Sequence, residues 1–518
     1  MSADAKAKEI LKHRDALKFD RLGYESNWQE IADLMFPRAA DIQTVSQPGV
    51  NRRAKMLSGE AEQAGLRFAS AIQNLMTGEG QPWFHLATRD RSLMKSRAVR
   101  LWLQEAERIC YDVFNSPESG FHLAAHEHYL QQGFLGTGPL LVIDRPAQMP
   151  MYIALPLPEC CLDRNPWNRI DTLIRTYKKS AKELVQAFPS AQKFDKVRQA
   201  IEATATTRFT CVHAIRPRKE AILGSRNALA MAFESVYVLQ EEQVVLEESG
   251  FESFPAVVPR WTVSANEIYG RGPGDTALAD TRMLMEVARS SLKMRQKVAD
   301  PPLSAPDGGY TGPLKLYPGA VNMLKNGHLP ATPLHQIDMQ GLLAADDLRA
   351  QTVDAIRRAF YNDLFQLEGP VTDKGAVQHM SATEAAIRQR DKLGGLGPIF
   401  SRQKVEMLGP LIFRMLAILE RNRMLPPAPP ELEDAEVLAE YVAPLAVAQE
   451  TGDVGTIIEG INLAGAVASI SPGAVDILNG DSALARGLRA LRFPEEGMRS
   501  QEEIDEMEAD GLVGDGGE

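Results

Sequence analysis

Two long helical stretches, separated by a segment that cannot be helical, set the strongest limit on how this chain folds. Residues 276–299 (TALADTRMLMEVARSSLKMRQKVA) contain neither Gly nor Pro and stop at Asp300-Pro301-Pro302. At 1.5 Å per residue such a helix reaches about 36 Å. About forty residues rich in Pro and Gly follow, and a second long helix is expected from about 341 to 362. The layout implies an antiparallel helix pair carrying a small tip unit.

Ahead of this pair the texture changes once. The first 130 residues read mainly as helix, with apolar positions at helical spacing through Trp28, Ile31, Leu34 and Met35, then Leu66, Phe68, Ile72 and Leu75. Further helical runs cover 98–114 and 122–135, and Gln81-Pro82-Trp83-Phe84 reads as extended. From Gly138 short β-rich runs take over (GPLLVID, MYIALPLPE, IDTLIRTYK, FTCVHAIRP), with one helix near 179–188 and a hairpin turning near Glu241 and Glu242. Beyond the second long helix, Ser381 and Glu384 form a capping box for a helix running toward Met424, with kinks expected at Gly394-Gly395, Pro398 and Gly409-Pro410. Pro426, Pro427, Pro429 and Pro430 mark a boundary before a small Ala-rich region. The fold class is α+β, mainly helical.

Charge narrows the function. The formal net charge is −11, from 57 basic and 68 acidic residues, the wrong sign for a protein that coats nucleic acid by bulk attraction. Residues 495–518 hold ten acids against Arg499, a net of −9, which leaves −2 for residues 1–494. The four cysteines (Cys110, Cys160, Cys161, Cys211) lack C-x-x-C spacing and suit a reduced compartment. The opening MSADAKAKEILKHRD lacks an apolar core, and no stretch approaches a membrane span, so neither secretion nor membrane insertion is expected.

No catalytic signature stands out. His122 and His126 share a helix face at metal-ligand spacing beside Glu127 and His128, yet H-E-x-x-H is absent, so polar helix-surface histidines are the plainer reading. In Gly133-Phe134-Leu135-Gly136-Thr137-Gly138 the glycines follow a helix and lead into a strand, the reverse of a dinucleotide loop. Gly270-Arg271-Gly272-Pro273-Gly274 lacks the Lys-Ser/Thr of a nucleotide-binding loop. No G-x-S-x-G elbow occurs. These features point to a chain that is not an enzyme and needs no cofactor or metal; the alternative is a metal- or carboxylate-dependent cytoplasmic hydrolase or nuclease. On the first long helix Arg282, Glu286, Arg289, Lys293 and Lys297 share one stripe, either a solvated face or one turned to a channel or a neighbouring subunit.

Several phrases in fixed order resemble the head-to-tail connector, or portal, proteins of short-tailed bacteriophages. They are WQEIADLMFPR, QPWFHL, FNSPESGFH, GFLGTGPLLV, then VPRWTVSANEIYGRGPGDTALADTRMLME leading into the first long helix, and SATEAAIRQR. The resemblance covers roughly residues 15–425, and its strongest part is PRW followed by YGRGPG and a long helix. Trp83, Phe84, Arg260, Trp261, Tyr269 and Gly270 match the family pattern as structural positions.

The resemblance implies a portal-type subunit with wing, stem, clip and crown regions, assembling as a homo-oligomeric ring of about twelve at one capsid vertex of the virion after synthesis in the host cytoplasm. The corresponding divisions are 1–275 wing, 276–299 first stem helix, 300–340 clip, 341–364 second stem helix, 365–425 tunnel loop and long wing helix, 426–494 crown and 495–518 acidic tail. It implies non-specific passage of double-stranded DNA in packaging and ejection, with terminase, tail adaptor proteins, and major capsid and scaffold proteins as partners and no membrane. The tunnel loop maps to 366–380, making Lys374, with His379 beside it, the first candidate for contact with DNA, against a solvated loop lysine. Arg282, Arg289, Lys293 and Lys297 are the second set.

Overall fold

The computed structural model describes residues 3–441 apart from 366–395, most of 300–338, and 40, 44–48, 50, 81, 146–147, 204–206, 223–226 and 433–436. Lys374, His379, Ser381, Glu384, Gly394, Gly395, most of the 300–340 segment, residues 442–494 and the acidic stretch 495–518 lie outside the described residues.

The fold is α+β and mainly helical. The elements begin with α1 (Ala3–Leu34), α2 (Glu60–Thr77), β1 (Phe84–Thr88), α3 (Arg97–Asn115), α4 (Phe121–Leu135), β2 (Leu140–Ile143) and β3 (Met151–Ala154). They continue through β4 (Cys160–Arg164), β5 (Ile170–Ser180), α5 (Ala181–Ala187), α6 (Asp195–Glu202), β6 (Arg208–Pro217), β7 (Phe233–Leu239), β8 (Val244–Phe251) and β9 (Ala256–Val257). Next come α7 (Pro273–Ala299), the short strands β10 (Leu303–Ser304) and β11 (Thr332–Pro333), and α8 (Met339–Ala359). After helices Gly397–Gln403 and Gly409–Arg421, the strand β12 (Val437–Tyr441) closes the described chain.

Two compact units result. One draws on Met1–Gly23, Phe68–Gly272 and Leu364–Glu518, the other on Tyr24–Arg67 and Pro273–Asp363. Residues 24–67, which the sequence groups with everything up to 275, therefore belong with the long helices. The reason is apolar burial: Trp28, Ile31 and Ala32 on the second half of α1 and Met35 just beyond its end are shielded from solvent, and Thr281 Oγ1 reaches Met35 Sδ at 3.7 Å.

The first unit is organised by an antiparallel sheet in the order β4-β5-β6-β7-β8. Both faces are covered. Alternate residues Val212, Ala214, Val236 and Val238 pack against Ala7, Ile10, Leu11 and Leu17 of α1. The intervening Phe209, Cys211 and Leu239 pack against Leu184, Phe188 and Val197, from α5, its C-terminal end and α6. On the α1 face, Lys6 Nζ lies 2.8 Å from Glu234 and 2.6 Å from Glu248, and Arg216 Nε donates to Glu234 at 2.5 Å. On the opposite face His213 stacks on Tyr237 at 3.9 Å, and its Nε2 lies 2.9 Å from Ser235 Oγ.

Some elements were not foreseen. Between β5 and β6 the sequence suggests one helix, whereas α6 adds a second of 8 residues, too short for a helical period to declare itself. The proline run at 426–430 is followed by a return: β12 pairs antiparallel with β1, Phe84 opposite Tyr441 and Thr88 opposite Val437. Near β1 the phrases QPWFHL and FNSPESGFH meet in an aromatic cluster, with Phe114 4.5 Å from Phe121 and Trp83 5.2 Å from Phe114. Tyr111 Oη accepts the Trp83 and Phe84 amides at 2.9 Å and donates to the Phe84 carbonyl at 2.7 Å.

In the second unit α7 and α8 pack against each other, and Arg295 grips Asp346 through two bonds of 2.8 and 2.9 Å. The segment between them is pinched at its base, where Leu303 pairs with Pro333 and Ser304 with Thr332.

Candidate functional site

The phrases GFLGTGP, PRW and YGRGPG fold onto one another immediately before α7 begins. α4 ends at Leu135, and Gly136 caps it in the left-handed region (φ 80°), its amide bonding to Gln132 O at 3.0 Å. The Trp261 amide donates to Gly136 O at 2.9 Å, and the Gly270 amide donates to Thr137 Oγ1 at 2.8 Å. A Cβ on Gly136 would fall 2.2 Å from Gly270 O, so two backbones touch where no side chain fits. Phe68 meets the Trp261 ring edge-on at 5.0 Å, and Tyr269 Oη accepts the Leu162 amide at 3.1 Å.

Arg260 is the polar centre of this junction. Only 1% exposed, it donates from Nη2 to Glu406 Oε1 at 2.7 Å and from Nε to Oε2 at 3.1 Å, a bidentate clasp. Its amide also donates to Glu406 Oε2 at 2.9 Å, and Nη2 reaches Asn168 O at 2.8 Å. Glu406 lies in a π-helical segment, Lys404–Leu408, between helices Gly397–Gln403 and Gly409–Arg421. Where a kink is expected at Gly409-Pro410, the helix instead widens by one residue, and the Gly409 amide bonds to Lys404 O. Pro410 has no amide hydrogen to give, and Pro398 opens a helix rather than bending one.

The α7 cations separate into two kinds. Arg282 is tied to Glu30, with Nη2 2.6 Å from Oε2, and that hydrogen bond holds its guanidinium above its usual pKa. Arg289 Nη1 bonds to Glu286 at 2.8 Å, one turn away. Lys293 and Lys297 are exposed. A cleft of about 400 Å³ between α7 and α8 is lined by Arg295, Asp346, Arg349, Val353, Asp354 and Arg357; Arg357 also reaches Glu60 at 3.1 Å. Lys374 and His379 lie outside the described residues.

The histidines of HLAAHEH are spent on separate partners. His122 Nε2 meets Asn115 Oδ1 at 3.0 Å, His126 Nδ1 meets Gln73 Oε1 at 3.1 Å, and His128 Nδ1 meets Gly138 O at 2.6 Å. Burial lowers the His128 pKa from 6.5 to about 4, against the opposing pull of the Gly138 carbonyl. Among the described residues no group of three or more His, Cys, Asp or Glu is arranged to hold a metal. All four cysteines are buried and free, and burial pushes the Cys160 thiol up to about 12 and that of Cys211 to about 11. Among the described residues no helix is long and apolar enough to cross a membrane.

The Arg260–Glu406 clasp was missed by sequence reasoning. Its one signal was an arginine set between Pro259 and Trp261 in an apolar stretch, which needs a carboxylate from elsewhere in the chain.

The sequence profile of the family described as bacteriophage head to tail connecting protein matches residues 7–498. The chain is 29% identical over 490 residues to the probable portal protein of Bordetella phage BPP-1, covering 93% of this chain and 86% of that protein. It is 28% identical over 493 residues to the portal protein of Salmonella phage epsilon15, covering 93% and 87% respectively. Among solved structures it is similar to a chain in the neck of an empty gene transfer agent particle, at 12% identity and a TM-score of 0.34 over 82% of this chain and 89% of that one. A chain in the virion of a native gene transfer agent particle matches at 15% identity and a TM-score of 0.31, covering 76% and 94%. With the family profile spanning almost its whole length, the chain belongs to the bacteriophage head to tail connecting proteins.

Proposed function

We propose that this protein is a phage portal: a ring of about twelve copies at one capsid vertex, through which double-stranded DNA is packaged and later ejected. The observation that carries the reading is the family match over residues 7–498, joined by two portal proteins as relatives over 93% of the chain. In this reading α7 and α8 are the stem, 300–340 the clip, 365–425 the tunnel loop and long wing helix, and 426–494 the crown. The chain performs no catalysis; a terminase drives the DNA, and tail adaptor, capsid and scaffold proteins dock on the ring. It assembles in the host cytoplasm and ends in the virion.

A conduit must let DNA slide. Each phosphate neutralised by a tightly placed cation releases counterions and adds affinity at every step, so a body of net −2 over residues 1–494 suits passage better than a basic one. Lys293 and Lys297, which among the described residues have no ion pair like those that occupy Arg282 and Arg289, are the α7 cations best able to touch a passing phosphate loosely. Lys374, with His379, is assigned the same role at the tunnel loop. Negative-stain microscopy of the purified protein tests the reading: rings with an axial hole wide enough for duplex DNA are expected, and a strictly monomeric compact particle under assembly conditions would refute it.

A further inference from the structure

Two surface features of the first compact unit are exposed and apolar, one with a guanidinium beside it and the other with a carboxylate. The first is the turn between β4 and β5, which presents Trp167 with 81% of its surface in solvent. This turn is held by several hydrogen bonds. Asn165 Oδ1 accepts the Trp167 and Arg169 amides at 3.1 and 3.0 Å, and the Asn168 amide donates to Asn165 O at 2.9 Å. Asn168 sits in the left-handed region (φ 62°), its side-chain oxygen accepting from Arg164 Nη1 at 2.8 Å and its carbonyl from the buried Arg260 at 2.8 Å. The backbone that carries this aromatic is thereby fixed and loses little conformational freedom on contact with a partner. Beside it Arg169 is exposed, and its guanidinium has no partner among the described residues. Trp next to Arg is the composition on which interface energy concentrates.

The second feature lies on the outer side of α1. Ala16, Phe19, Asp20 and Gly23 fall at i, i+3, i+4 and i+7, one helical face, and all four are exposed. Phe19 is 74% exposed and the adjoining Leu22 50%, while the opposite face of the helix, Ile10 and Leu17, is sealed against the sheet. Ala16 and Gly23 leave room on either side of the Phe19 ring; a Cβ at Gly23 would meet nothing within 4 Å. Asp20 supplies a carboxylate at the rim and has no partner among the described residues.

Each feature is what the other lacks: an indole with a guanidinium beside it, and an apolar stripe with small-residue notches and a carboxylate. Both remain in solvent within a single folded copy. A closed ring is built from heterologous contacts, in which two different patches of one chain meet around the circle and every copy contributes both. We propose that Trp167 and Arg169 of one copy dock on the Ala16–Phe19–Asp20–Gly23 stripe of the next copy. The proposal rests on the ring reading and names a contact within it.

Paired cysteine substitution tests it, because the four native cysteines are buried and do not compete. A chain carrying both Trp167→Cys and Phe19→Cys, oxidised after assembly, is expected to give a ladder of covalent oligomers on a non-reducing denaturing gel. Each single variant alone gives none, and the two single variants assembled together give linked pairs. The charge pair supplies a second readout: Arg169→Glu and Asp20→Arg should each raise the concentration for half-assembly by about tenfold, and the doubly reversed chain should recover most of that loss. Rings seen by microscopy that yield no intercopy link and no charge-reversal rescue overturn this contact while leaving the ring reading intact. An intrachain link within the double variant overturns it as well. Absence of rings from the unsubstituted protein removes the ring reading and this contact with it.

Discussion

Glu406 holds Arg260 across 146 residues of sequence, taking Nη2 at 2.7 Å, Nε at 3.1 Å and the Arg260 amide at 2.9 Å with one carboxylate. The clasp joins the π segment to the Arg260–Trp261 segment that follows β9 and so fixes the glycine junction preceding α7.

Removing Glu406 leaves a guanidinium that is 1% exposed without its counter-charge. Glu406→Ala is expected to cost about 3 kcal/mol, and Arg260→Met combined with Glu406→Leu should recover a substantial part of that loss. Chemical denaturation of the single and double variants measures both. A Glu406→Ala protein as stable as the parent would show that the pair contributes nothing.

Gly136 and Gly80 share a left-handed backbone (φ 80° and 83°), but only Gly136 faces another backbone. Gly80→Ala should cost about 1 kcal/mol from backbone strain alone. Gly136→Ala adds a Cβ 2.2 Å from Gly270 O and should prevent the native junction from forming. Soluble yield and thermal midpoint separate the two variants, and equal behaviour would mean that the close approach is unimportant.

Burial holds His213 down to about 3, aided by the nearby Arg175 charge, and His128 down to about 4. Each stays neutral in the folded chain while the unfolded chain protonates it below its ordinary 6.5. The unfolded state thus binds more protons in this window, so stability is lost as pH falls from 6.5 toward the folded values. At pH 5 the loss is about 2 kcal/mol for each histidine. Urea unfolding at pH 7.5 and pH 5.0 checks it; a midpoint that does not move contradicts the prediction.

Lys293→Ala with Lys297→Ala should weaken retention of packaged DNA and flatten its dependence on salt. Arg282→Ala should change retention less, because Arg282 is already tied to Glu30, and should lower stability by under about 1 kcal/mol. Release of DNA from filled heads across a salt series distinguishes the two. Identical salt profiles for all variants would remove α7 from the DNA path.

What the sequence disclosed was local. Residues 276–299 lack Gly and Pro, and the structure has helix over Pro273–Ala299; the expected turn at Glu241 and Glu242 lies between Leu239 and Val244. The charged stripe on α7 could be read from spacing, but not that Glu30, 252 residues earlier, would occupy Arg282. The pairing of β1 with β12 and the π segment at Glu406 were equally invisible. Both depend on residues far away in the chain, and periodicity carries no information about such partners. The phrases GFLGTGP, PRW and YGRGPG were visible as words; their convergence at Gly136 and Gly270 was not.

The central sheet, covered on both faces, lacks the usual safeguard against misalignment. In a sheet with one wet face, a slip of one residue throws the apolar set into water and is rejected at once. Here a slipped β6 would exchange Cys211 for Val212 and still offer grease to either side. What marks the correct alignment must therefore be the few polar residues inside: Arg216 opposite Glu234 under Lys6, and His213 against Tyr237 and Ser235. They act as index marks, and chains that lose them should still collapse but into strands paired one step out of place.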